Sequence, residues 1–388
     1  MTFEYSNDMR VEALRSRFFW CTALFAFVAA SACKKTEPTS ESAAPSATVT
    51  AAAPPPAAPP APAGPKADEM TFTALPPVPV PESNPLSDAK VALGRQLFFD
   101  PRLSVDKSRA CYSCHKKEDG TGGHDPLAIG AKDKQLTRHS PSLWNVAYLS
   151  KLYWDGRSDS LEALALAAWA GGNMGVGQDK LDDKAKEIGK IAAYKKQFDQ
   201  VFPGQGVTKE TISQALATYE RTLICNDTAF DKFAKGDKAA LSATQKQGLE
   251  LFMGKAGCVT CHTPPHFSLA YFSKDAAFFN IGIGVKDRAE EAVDPGRMNV
   301  TKNAADWAAF KPPSLRGVAK SPPYFHDGSV AKLEDAVRFM ASGGYKNKNS
   351  SPLLSDKKLT DAEISLIVDF LSSLNCPDEA LTEPKLPK

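Results

Sequence analysis

The pentapeptide Cys-x-x-Cys-His occurs twice, as Cys111-Tyr112-Ser113-Cys114-His115 and as Cys258-Val259-Thr260-Cys261-His262. Two thiols at this spacing with a histidine directly after them form the attachment signature of a c-type haem. The thiols add across the porphyrin's vinyl groups, and the histidine is placed to ligate the iron from one side. Zinc and redox roles for the pair fit less well, because a structural zinc site asks for four ligands and the chain opens on an export signal. Two covalent c-type haems are therefore expected. Cys111, Cys114, Cys258 and Cys261 would carry the thioether bonds, with His115 and His262 as proximal iron ligands.

The motifs sit inside an internal repeat. Leu86-Ser87 leads to Gly94-x-x-Leu97-Phe98 and then to the first motif; Leu241-Ser242 leads to Gly248-x-x-Leu251-Phe252 and then to the second. The offset of about 150 residues suits two domains of ordinary size. Apolar residues recur at helical spacing near 87–98, 159–170, 181–201, 209–224, 242–253, 330–341 and 361–374. Capping boxes open two of these, at Ser242-Ala-Thr-Gln245 and Thr360-Asp-Ala-Glu363. Long alternating strand patterns are missing, and Gly/Pro-rich loops separate the helices. The expected fold is all-α, with two cytochrome c-like helical domains, one haem each, and long functional loops.

Upstream of the repeat the composition changes. Arg10, Arg15 and Arg17 precede an apolar run from Phe18 to Ala32, which closes on Ala30-Ser31-Ala32-Cys33. That order marks an export signal, and small residues running into a cysteine resemble a bacterial lipobox with Cys33 as the lipidated residue. The run is short for a bilayer span, which needs about 20 apolar residues. Of 29 prolines, 14 lie between Glu37 and Pro85, in a stretch too poor in apolar surface to offset its ordering entropy. The predicted organisation is thus a signal over 1–32, a disordered tether over 33–85, haem domains over 86–238 and 239–376, and a tail over 377–388. A net charge of +2 with no block of like charge excludes a nucleic-acid footprint. Cys225 and Cys376 remain unassigned, and two readings stand for them: a disulfide in an oxidising compartment, or two buried free thiols.

Several longer segments resemble bacterial di-haem cytochrome c peroxidases, a family that includes the MauG-type maturases. They are Leu93-Gly-Arg-Gln-Leu-Phe-Phe-Asp100-Pro-Arg-Leu-Ser104, Trp154-Asp-Gly-Arg157, Phe279-Asn-Ile-Gly282, Pro313-Ser-Leu-Arg316 and Pro323-Tyr-Phe-His-Asp-Gly328. The similarity runs from about Leu86 to Leu374. It implies that the C-terminal haem, between His262 and Met340, is the electron-entry site, since a thioether ligand raises the potential. Met340 stands where peroxidases carry methionine and the maturase tyrosine. The N-terminal haem, on His115, would be the peroxide site, and Trp154 would lie between the haems and carry electrons.

The chain departs from the family's pattern at three places. A distal histidine often follows Ile-Gly, and here Ile129-Gly130 is followed by Ala131. A catalytic glutamate usually precedes a methionine where this chain has Asn173-Met174, and His124 in a nearby glycine-rich loop is the candidate substitute base. The inter-haem calcium of the family would take backbone carbonyls of Ser321 and Pro323, but its asparagine slot holds His139. Calcium prefers oxygen donors, so histidine is a poor replacement.

The function these readings imply is reduction of hydrogen peroxide to water in the periplasm. A small c-type cytochrome or cupredoxin would donate the electrons, and membrane contact would be limited to lipid on Cys33. Monomer and homodimer are both open. Two other functions compete: MauG-like oxidation of a protein side chain, which Met340 argues against, and electron transfer without turnover, which Ala131 and Asn173 argue for.

Overall fold

A computed structural model describes residues 65–271, 277–286, 288–376 and 381–388. The predicted export signal, Cys21, Cys33 and the tether as far as residue 64 lie outside them. Among the described residues, ten α-helices follow in order: α1 Asp88–Phe99, α2 Leu161–Ala170, α3 Leu181–Gly189, α4 Ala192–Val201, α5 Lys209–Glu220, α6 Ala229–Ala234, α7 Ala243–Met253, α8 Met298–Thr301, α9 Leu333–Ala341 and α10 Asp361–Ser372. Among the described residues, β-structure is limited to isolated bridges. The all-α expectation holds.

The repeat seen in sequence is a repeat of helix crossings. In the first half α1 packs on α5, and in the second α7 packs on α10. The glycine of Gly-x-x-Leu-Phe sits at each crossing: a Cβ on Gly94 would fall on the carbonyl oxygen of Ala215, and one on Gly248 on that of Leu366. One turn on, the phenylalanine meets an aromatic ring of the partner helix. Phe98 lies 5.2 Å from Tyr219 and Phe252 5.3 Å from Phe370, centroid to centroid. Glycine is needed there because the backbones approach too closely for any side chain.

Two main apolar clusters follow from these crossings. One gathers Leu93, Leu97, Phe98, Tyr194, Phe198, Leu216 and Tyr219. The other gathers Phe230, Leu249, Phe252, Phe267, Ile367 and Phe370. A disulfide between Cys225 and Cys376 ties the end of the first half to the segment after α10, which settles the pairing that composition left open. Beside it, Asn145 pins Cys225 by accepting from its backbone N–H at 2.8 Å and donating to its carbonyl at 3.1 Å.

Three boundaries differ from the sequence reading. The stretch 181–201 is two helices, because Ile191 is extended between them. Each piece then turns its own apolar side inward, Leu181, Ala185 and Ile188 on α3 and Tyr194 and Phe198 on α4. Helix α6 was not foreseen; it is short and opens on a Thr228–Asp231 capping box. Finally, residues 65–85 are packed on the body and are not part of a disordered tether. Ala67 donates its N–H to Glu250 at 2.9 Å, Phe72 meets Phe230 at 5.0 Å, and the Pro76 carbonyl accepts from the Tyr148 hydroxyl at 2.9 Å. Asn84, 1% exposed, bonds to Glu162 and the Gln214 carbonyl. Proline-rich composition hides this because an extended chain can dock through a few apolar side chains and carbonyls without secondary structure.

The tail docks as well. Leu381 is buried in the first cluster, and Arg102 donates to the Pro387 carbonyl at 2.8 Å.

Candidate haem sites

Both attachment motifs adopt the same tight turn. Residues Cys111–Ser113 and Cys258–Thr260 form single 3-10 turns, and the following cysteine N–H returns to the first cysteine's carbonyl at 3.2 Å in each. The histidine N–H makes a second bond to that same carbonyl, at 3.2 Å from His115 and 2.9 Å from His262. Thiols and imidazole are thus held by two consecutive backbone bonds that need no distant partner. All four cysteines are free thiols, and burial pushes their pKa values up, that of Cys258 to about 12.

Each imidazole is then oriented by a backbone oxygen the sequence did not reveal. His115 Nδ1 lies 2.9 Å from the Thr121 carbonyl, and His262 Nδ1 3.1 Å from that of Phe267. A carbonyl only accepts, so Nδ1 carries the proton and Nε2 is left with its lone pair free for a metal. Burial holds both rings neutral, driving His115 down to about 4 and His262 in the same direction. Among the described residues, no group of three or more His, Cys, Asp or Glu side chains is arranged to hold a metal ion. A ligand set completed by a porphyrin fits these turns, and a protein-only zinc site does not.

Beside the second motif lies a largely apolar cleft with about 1450 Å³ free of protein atoms, open solvent at its mouth included. Cys258, Cys261 and His262 line it, and so does Met340. Helix α9 supplies Met340 through an apolar stripe of Leu333, Ala336, Val337 and Met340, spaced 3, 4 and 7 residues along and all lining the cleft. A stripe facing a cavity floored by thiols and an imidazole is the surrounding a flat apolar cofactor requires. The residues present fit a haem.

Trp154 also lines this cleft. It is 9% exposed, and its indole N–H donates to the His139 carbonyl at 2.8 Å. His139 in turn donates its backbone N–H to the His326 carbonyl at 2.7 Å, and its Nδ1 lies 2.9 Å from the Asp125 carbonyl. The His326 ring stacks on Phe310 at 3.7 Å and meets Trp154 edge-on at 6.5 Å. Arg138, clamped between Asp155 at 2.7 Å and Asp294 at 2.6 Å, sits over the other side of this cluster, 5.4 Å from Phe310. Trp154 is therefore a rigid member of a buried aromatic and polar cluster. His266, stacked on Tyr271 at 4.3 Å, belongs to the loop after the second motif.

Near the first motif the structure brings Ala131 and Asn173 together: the Ala131 N–H donates to the Asn173 carbonyl at 3.0 Å. The two departures from the family pattern thus share one spot, built on a Gly130–Gly172 contact with no room for a Cβ. His124 is elsewhere. Its side chain is 54% exposed and lies between the carboxylates of Asp119, at 3.3 Å, and Asp125, at 3.5 Å.

Glu220 escaped the sequence reading. It ends α5, is 5% exposed, and its Oε2 has no hydrogen-bond partner. Burial pushes its carboxyl up to about 8, and its charge acts on Cys111. The available signal was a carboxylate directly following the buried Ala215, Leu216 and Tyr219.

The profile of the family described as di-haem cytochrome c peroxidase matches residues 88–239. The cytochrome-c peroxidase IdrP1 of Denitromonas iodatirespirans is 36% identical over 341 residues, covering 81% of this chain and 89% of that protein. The methylamine utilization protein MauG of Methylorubrum extorquens is 35% identical over 312 residues, covering 80% and 85%. A crystal structure of a MauG-like protein associated with microbial copper homeostasis superposes with a TM-score of 0.73 at 27% identity, over 80% of this chain and 97% of that one. Similarity on this scale, over the segment that holds both attachment turns, makes the chain a member of the di-haem cytochrome c peroxidase family.

Proposed function

We propose that this protein is a periplasmic di-haem peroxidase that reduces hydrogen peroxide to water with electrons from a small c-type cytochrome or cupredoxin. The observation that carries the reading is the asymmetry of the two sites. Met340 lines the same cleft as His262, which suits a six-coordinate electron-entry centre, whereas Ala131 offers no ligand beside the first motif. Bound haems would supply the redox chemistry, with two electrons and two protons needed per peroxide. Cys111, Cys114, Cys258 and Cys261 would hold the cofactors through thioethers, with the neutral imidazoles of His115 and His262 as ligands. Trp154, fixed by His139, stands at the cleft wall as the group for passing electrons between the sites.

Proton handling is the weak point. Asn173 cannot give and take a proton as a carboxylate does, and His124 faces solvent between two aspartates. This favours slow turnover, and it is the specific observation behind a second reading as an electron-transfer protein. Met340 weighs against MauG-like side-chain oxidation.

Export on the signal over 1–32, with lipid on Cys33, accounts for the proposed location. No helix among the described residues is long and apolar enough to cross a membrane.

Steady-state peroxide consumption with a reduced small cytochrome tests the proposal. Turnover that scales with enzyme is expected. Reduction and reoxidation of both haems without peroxide loss would instead establish electron transfer alone.

A further inference from the structure

Lys311 is a buried cation without a counter-charge. It is 8% exposed and lines the C-terminal cleft together with Cys258, His262 and Trp154. No hydrogen bond or ion pair holds its ammonium among the described residues, and burial is the sole influence pushing it down, to about 8. Other deep cations among the described residues have partners: Arg316 has Asp231 at 2.8 Å through both terminal guanidinium nitrogens, Arg138 has Asp155 and Asp294, Arg221 has Glu162 at 2.7 Å, and Lys90 has the Asn84 side-chain oxygen and the Pro85 carbonyl at 2.9 and 2.8 Å. Lys311 is placed just as firmly, because its backbone N–H donates to the Trp154 carbonyl at 2.9 Å.

An unpaired ammonium in an apolar wall is costly, and proteins retain one where something anionic arrives to meet it. The cleft's occupant supplies that anion. A haem held by Cys258 and Cys261 is attached along its vinyl edge, and its two carboxylates lie at the opposite edge. Lys357, the other lysine lining the cleft, has its ammonium beside Gly257 at the attachment turn and is half-buried. It sits at the wrong edge for a propionate.

We propose that Lys311 binds a propionate of the C-terminal haem and holds that carboxylate at the Trp154 side of the cleft. The pair has two consequences. The cation favours the ferrous over the ferric state, adding to the effect of Met340, and it fixes the haem edge next to the tryptophan through which electrons would leave. The proposal rests on the di-haem reading above.

The test uses holoprotein carrying Lys311→Met or Lys311→Arg. Mass spectrometry first counts the haems; fewer than two in the wild type overturns the di-haem reading itself. With two haems present, resonance Raman follows the propionate bending mode and a redox titration follows the C-terminal haem. Lys311→Met should shift the mode and lower the reduction equilibrium constant about tenfold, which for a one-electron couple is about 59 mV. Lys311→Arg keeps the charge but changes the donor geometry, so the potential should stay near wild type while the mode still moves. An unmoved mode and potential in Lys311→Met overturn the proposal. Where methionine prevents folding, an unmoved mode in Lys311→Arg does the same.

Discussion

A single backbone oxygen decides what each proximal histidine can do. The Thr121 and Phe267 carbonyls accept from Nδ1–H, so Nε2 is the atom left free to ligate in both halves. In the reading proposed above Met340 is the second ligand of the C-terminal haem, and its replacement by alanine would remove the thioether that stabilises ferrous haem. Met340→Ala should lower that haem's reduction equilibrium constant by more than tenfold, above about 59 mV, and admit cyanide to the vacated position; an unchanged high-potential centre in a redox titration excludes Met340 as ligand. Glu220 makes a different prediction. Its carboxyl rises from an ordinary 4.5 to about 8 in the folded state. Between those values the folded protein holds a proton that the unfolded chain has released, so this group's contribution to stability falls as pH rises. Compared with Glu220→Gln, the wild type should lose about 1.4 kcal/mol per pH unit across that window. Denaturant unfolding of both proteins at several pH values reads the difference, and parallel curves would mean that Glu220 ionises normally when folded. The two Cys-x-x-Cys-His turns were legible in sequence because their bonds run between neighbouring residues. Glu220 and Lys311 were not, because a charge becomes unusual only once distant segments bury it.

Among the helices, what sequence periodicity captured was position, and what it missed was approach. Apolar spacing located α1, α2, α5, α7, α9 and α10 to within a few residues, and both predicted capping boxes are formed, with Ser242 and Thr360 accepting the N3 amide at 3.1 and 3.3 Å. The break between α3 and α4 carries no proline, so the pattern ran on through it. Residues 65–85 show the opposite failure: their composition resembles a solvated linker, yet Phe72 and Asn84 find partners more than a hundred residues away. The glycines of the repeat tell more than their neighbours. Gly248→Val puts a branched side chain against the Leu366 carbonyl and the Phe370 Cβ, where backbone rather than a flexible side chain must give way. A loss of about 3 kcal/mol is expected, the upper end for overpacking, and Gly94→Val should behave alike in the other half. Thermal unfolding followed by circular dichroism measures both; a variant melting with the wild type would place the helix crossing elsewhere.

For the molecule as a whole, the two halves share one chain unit from Pro59 to Lys388 but keep separate apolar clusters, and polar, aromatic and covalent ties join them. Arg138 spans 156 residues to Asp294. The Cys225–Cys376 disulfide spans 151, and both sulfurs are buried in the first cluster. Composition alone could not choose between a bond and two thiols, since either satisfies a buried cysteine; the two segments meet through long-range contacts such as the Phe230 N–H donating to the Ser373 carbonyl at 3.2 Å, which no local pattern encodes. Closing so long a loop restricts the unfolded chain, and on the chain-entropy account its removal costs about 2–5 kcal/mol. The segment after α10 would lose its tie to Cys225, while Gly317 would still donate its N–H to the Leu374 carbonyl at 2.8 Å. Cys225→Ala with Cys376→Ala should therefore lower the melting temperature and leave both haems attached, because the hydrogen bonds of the two cysteines run to Asn145 and Leu374 and not to an attachment turn. Retained melting temperature in the double variant would show that the bond constrains little. Loss of one haem would show instead that the tie is needed while the second attachment turn is being formed.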